Sequence, residues 1–91
     1  MRTARITSEP HTLIFQNFDR IPEEKLFSQA AELLNMGGAI LSDQIEELPY
    51  LTRRCGTLDS IPFELRLDLS DDTELHCEDE QTMQRLQKIL G

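Results

Sequence analysis

His11, Cys55, His76 and Cys77 carry the side chains most often used for metal binding and nucleophilic chemistry. A structural zinc site needs four such ligands to converge, usually through close pairs such as C-x-x-C or H-x-x-x-H. Neither spacing occurs. His76 and Cys77 are adjacent, and neighbours on a strand point to opposite faces. That places Cys77 inside and His76 outside beside carboxylates. His11 falls in an expected turn, Ser8–His11. Cys55 stands next to Arg53 and Arg54, whose charge would favour a thiolate, yet no general base is suggested nearby. The stretch from Asp68 to Asp72 has the oxygen-rich spacing of a calcium loop. Such a loop needs Gly at its sixth position and a bidentate Glu at its twelfth; here these are Thr73 and Asp79. These residues predict no metal site, no cofactor and no catalytic residue, and the chain is read as a non-enzyme.

Charge is more informative. The 91 residues hold 17 acidic and 9 basic side chains, a net charge of −8. Between Asp59 and Glu80 the acids stand against Arg66 alone. Nucleic-acid binding depends on Lys and Arg to release counterions, and anionic lipid attracts basic segments, so neither partner is expected. A clustered negative field instead suits a basic protein surface. The expected partner-binding residues are Glu64, Asp68, Asp71, Asp72, Glu74, Glu78 and Glu80, together with the sheet edge. Arg53 and Arg54, with Tyr50 close by, form a secondary anion-binding candidate, because guanidinium groups match carboxylate and phosphate geometry. Pairing with the chain's own acids is the simpler use of these arginines.

The elements that would position these groups are read from periodicity. Phe63, Leu65, Leu67 and Leu69 alternate with polar residues, as do Leu75 and Cys77, which predicts two strands around the turn Ser70–Thr73. Facing both apolar sets to one core pairs Leu69 with Leu75, Leu67 with Cys77, Asp68 with His76 and Arg66 with Glu78. A helix follows from Glu80, with Met83, Leu86, Ile89 and Leu90 on one face. Residues 61–90 are thus strand, turn, strand, helix.

Upstream, residues 1–11 are read as an N-terminal strand or arm. Thr12–Phe18 is an interior strand, since its apolar run is too continuous for one exposed face. Pro22 suits the first position of a helix carrying Leu26, Phe27, Ala30, Leu33 and Leu34, with Gly37 as its left-handed C-cap. Ala39–Leu41 fits either a short strand or a helix entry. Asp43 and Glu46 resemble a capping box, which predicts a short helix ending at Pro49. Tyr50–Gly56 reads as irregular, and Thr57–Pro62 as turn-forming.

The expected fold is one acidic α+β domain over residues 1–91, a twisted antiparallel or mixed sheet of 3–5 strands with two or three helices on one face. No signal peptide or membrane-length apolar run is present, and two cysteines suggest reduced thiols, so the expected location is the cytoplasm. Two functions fit. One is a regulatory or inhibitory module holding a basic protein surface, in the manner of an immunity protein or a nucleic-acid mimic. The other is a homodimeric structural or complex subunit with a mainly apolar interface.

Overall fold

The computed structural model of the chain describes residues 1–68, 70 and 72–91. Seven strands are β1 (Arg2–Ile6), β2 (Glu9–Gln16), β3 (Ile40–Leu41), β4 (Glu46–Glu47), β5 (Leu51–Leu58), β6 (Ile61–Asp68) and β7 (Thr73–His76). The two helices are α1 (Glu23–Met36) and α2 (Glu80–Leu90). All strand pairs are antiparallel, in the order β1-β2-β7-β6-β5-β3, with β4 also pairing β5. The α+β expectation holds, while the strand count exceeds the expected 3–5.

The pleat sorts the side chains. Leu65, Leu75 and Leu13 form one cross-strand row, and each is fully buried. Phe63 and Phe15 extend the same face, because residues two apart on a strand share a side. Leu26, Phe27, Ala30 and Leu34 of α1 and Met83, Leu86 and Leu90 of α2 join them in one apolar cluster. Asp79 caps α2, accepting from the Thr82 backbone N–H at 3.0 Å. Opposite this core lies the other face of the sheet, carrying Arg53, Glu64, Arg66, Glu74 and His76.

Several expectations are corrected. No helix occupies Ser42–Pro49. Instead Glu46 and Glu47 pair with Arg53 and Thr52 as a two-residue strand, and Ser42 Oγ accepts from the Gln44 N–H rather than capping a helix. Pro49 leaves too short a run for a stable helix, and Ile45 is half exposed, so the apolar spacing there buries little. The stretch expected to be irregular, Tyr50–Gly56, lies mostly in β5. Eight residues of β5 pair with β6 through a two-residue turn, Asp59-Ser60, both with positive φ (49° and 69°), the backbone that a type I′ hairpin requires. His11 belongs to β2 rather than to a turn, and the N-terminal turn is Thr7-Ser8. Pro22 is the N-cap rather than the first helical residue. Gly37 has φ −82°, and Gly38, at φ 102°, takes the left-handed position instead.

The β6–β7 register also differs. Leu75 pairs with Leu65, Glu74 with Arg66 and His76 with Glu64. Thus Arg66 meets Glu74 rather than Glu78, and Leu67 faces Thr73 rather than Cys77. Leu69, named in the expected pairing, lies outside the described residues. The observed register lets the Asp68 carboxylate accept from the backbone N–H of Ser70 and Asp72, at 2.9 and 3.2 Å. It also sets buried Thr73 to donate to Glu23 of α1 at 2.7 Å. The Asp68 carboxylate thus satisfies the Ser70 and Asp72 donors without the glycine that a tight turn would need.

Candidate functional site

Glu64 and Glu74, two of the residues expected to hold a partner, stand on the outer sheet face. Arg66 donates to Glu64 at 2.8 Å and lies 3.9 Å from Glu74. Arg53 reaches Glu64 at 3.7 Å and pairs with Glu46. The result is an alternating row, Glu46, Arg53, Glu64, Arg66, Glu74, crossing β4, β5, β6 and β7. Interleaved acids separate Arg53 from Arg66, which otherwise face each other directly across β5 and β6. The hydrogen bond and charge of Glu46 hold the Arg53 guanidinium more firmly protonated. Burial is the main cause of the upward shift at Glu74, with Arg66 opposing it. This face is therefore close to neutral, and its carboxylates are already engaged.

The remaining expected residues are dispersed. Asp68 is committed to its loop, and Asp72 is exposed beside it. Asp71 lies outside the described residues. Glu78 follows β7 and contacts His76 at 2.9 Å and His11 at 3.6 Å, and its hydrogen bond with His76 is the leading cause of its lowered pKa. Glu80 opens α2 and pairs with Arg5 of β1 at 2.6 Å, which holds its pKa down. These carboxylates do not form one surface.

Tyr50, Arg53 and Arg54 do not converge either. Arg53 joins the outer row, while Arg54, its strand neighbour, donates from Nε to the Ser42 carbonyl at 2.7 Å. Both arginines engage local partners, Arg53 through its terminal nitrogens while its buried Nε has no partner among the described residues. Tyr50, 60% exposed, instead belongs to a different group. With Glu24, Glu47 and Asp68 it lines a hollow of about 340 Å³ at one end of the molecule. Glu24 comes from the first turn of α1 and Glu47 from β4. Both are exposed, and neither has an ion-pair partner among the described residues. Only the β4–β5 pairing brings Glu47 here, so spacing in the sequence does not link it to Glu24.

Cys77 is buried and Cys55 exposed, and both are free thiols. Burial is the main cause that pushes the Cys77 thiol pKa up, which makes it a poor nucleophile. His11 and His76 approach edge to face, 6.4 Å between ring centres, although the sequence separates them widely. Among the described residues no group of three or more His, Cys, Asp and Glu is placed to hold a metal ion, and no helix is long and apolar enough to cross a membrane. No family model matches the chain, and comparison with curated proteins and with solved structures found no match.

Proposed function

We propose that the chain is a small acidic protein–protein interaction module, regulatory or inhibitory in role, that holds a basic partner surface at the end formed by Glu24, Glu47, Tyr50 and Asp68. One observation supports this reading above the others. Carboxylates from three elements line the hollow with an exposed tyrosine there, and Glu24 and Glu47 have no ion-pair partner among the described residues. Tyrosine adds stacking area for a guanidinium and apolar contact at low entropic cost. The open sheet face is a weaker candidate, because Arg53 and Arg66 offset its acids. The sheet edges are also weaker candidates. The Gly91 carbonyl accepts from the Thr3 N–H on β1, and β3 and β4 cover much of β5. A cytoplasmic location accompanies this reading, in keeping with two unpaired cysteines.

The test is capture of partners from the native lysate at low and elevated salt, followed by kinetics with the captured protein. Replacing Glu24→Gln, Glu47→Gln and Tyr50→Ala together is expected to slow association, most clearly at low ionic strength. Unchanged association in low salt would remove the acidic end from the mechanism. A second reading, the homodimeric or complex subunit with an apolar contact, draws on Phe18 and Met36, which are 68% and 83% exposed. It requires a mass that rises with concentration and resists salt.

A further inference from the structure

We infer that the groove between α1 and the Asn17–Ile21 loop receives the apolar face of a basic amphipathic helix from a protein partner. This deepens the interaction-module reading and rests on it only in requiring a protein partner; it makes no use of the acidic end.

The groove has a volume of about 730 Å³ and is lined by Phe18, Ile21, Leu26, Leu33 and Met36. Leu26 is buried, and Ile21 and Leu33 pack partly into the core. They form an apolar floor, while Phe18 and Met36 remain largely exposed at its margins. Leaving a large apolar side chain in water forgoes the free energy of burying it. Phe18 is nonetheless held there by an ordered loop. The Asn17 side chain donates to the Ile21 carbonyl at 2.7 Å and to Glu23 at 3.1 Å, and accepts from the Ile21 N–H at 3.1 Å. Arg20 completes the bend at φ 51°, and the Arg2 guanidinium lies 5.6 Å from the centre of the Phe18 ring. The loop is therefore pre-organised, which lowers the entropic cost of docking. A trough beside a helix, with polar lining residues such as Gln16 and Gln29 around its apolar floor and an adaptable methionine at its rim, suits the apolar side chains at i, i+3, i+4 and i+7 of an amphipathic partner helix.

Charge selects the occupant. Asp19 and Glu32 line the same groove, and neither has an ion-pair partner among the described residues. Arg2 is already stacked on Phe18. Lys or Arg flanking the apolar stripe of the guest would meet both carboxylates. A second copy brings another −8 of net charge, which disfavours self-association.

The probe is a fluorescein-labelled Leu/Lys peptide with apolar residues at helical spacing, titrated into the full chain by anisotropy at physiological salt. Its comparators are a scrambled peptide of equal composition and a Leu/Glu version. Phe18→Ala with Met36→Ala, both exposed positions, is expected to weaken binding about tenfold or more. Asp19→Asn with Glu32→Gln is expected to weaken it by a smaller factor. Asp43→Asn, an exposed position outside both candidate sites, serves as the control and should leave it unchanged; a loss on replacing Glu24 and Glu47 by Gln would instead locate the peptide at the acidic end and overturn the groove. Equal affinity of the scrambled or Leu/Glu peptide, or of the Phe18/Met36 variant, would likewise overturn the inference. So would a concentration-dependent dimer that this variant abolishes, since the groove would then belong to a second copy. If the groove fails while the acidic-end variants still slow capture of a basic partner, the proposed function survives without it.

Discussion

Glu74 keeps only 25% of its side chain exposed on the outer sheet face. Burial raises its pKa, and the Arg66 guanidinium at 3.9 Å only partly offsets this. A carboxylate whose folded pKa is raised binds its proton more tightly in the native state than in the unfolded one. Stability then falls as pH rises from the ordinary carboxylate pKa through the raised folded value. Above that window the ionised Glu74 costs the native state free energy. Glu74→Gln is therefore expected to be more stable than the parent at neutral pH, and the difference should close below the carboxylate range. Urea midpoints at acid and neutral pH measure it. A less stable Gln variant at neutral pH would mean that the Arg66 contact outweighs desolvation. Asp79 has the opposite sign. Hydrogen bonds from the Thr82 hydroxyl and backbone N–H depress its pKa, so its contribution is present above the unfolded pKa and lost as pH falls through the folded value.

Strand β5 shows how one position sets the fit of an element. Gly56 pairs directly with Phe63, which is 2% exposed. A Cβ at Gly56 would stand 2.7 Å from Phe63 Cζ and 3.0 Å from both the Ile40 carbonyl and Leu41 Cδ2. The backbone contact cannot swing away, and the ring is locked in the core. Gly56→Ala is expected to destabilise the chain by roughly 1–3 kcal/mol, the usual cost of overpacking. Phe63→Leu would then cost less in the Gly56→Ala background than in the parent chain, and a double-mutant cycle from urea denaturation reads that coupling. Strictly additive effects would deny the contact. The same strand explains what sequence can and cannot reveal. Both helices, β6 and β7 are legible because their apolar residues repeat at 3.6 or 2, and the core of β2 because its apolar run is continuous. The core-facing positions of β5 are Thr52, Arg54, Gly56 and Leu58, so no apolar alternation marks them. Ile45 and Leu48 imitate a helical spacing but support only a two-residue strand. The acidic clustering is legible, yet its internal neutralisation depends on strand pairings that spacing does not mark: Arg53 meets Glu46 and Glu64 through β4–β5 and β5–β6, and Arg66 meets Glu74 through β6–β7. Glu24 and Glu47 meet only through the β4–β5 pairing.

At the scale of the whole molecule, one charge distribution acts on folding and, under the proposed function, on association, with opposite responses to salt expected. The chain measures 29 × 29 × 24 Å and carries a net −8. At 0.01 M salt the Debye length is about 30 Å, so each unpaired carboxylate repels those on the far side. Near 0.15 M it is about 8 Å, which removes most of that repulsion. Close contacts such as Arg66 with Glu64 at 2.6 Å and Arg5 with Glu80 at 2.6 Å lie well inside either length, so they weaken much less. Raising sodium chloride from 0.01 to 0.15 M (about the range these screening lengths span) is therefore expected to raise the melting temperature. A fall would show that attraction within the ion-pair network exceeds the net repulsion. Under the proposed function, the same field would draw a basic partner toward Glu24, Glu47 and Asp68, and screening would slow that encounter. Salt that stabilises the free chain should thus reduce its association rate. If both quantities moved together, the negative charge would serve solubility alone, and the apolar margin at Phe18 and Met36 would become the stronger account of recognition.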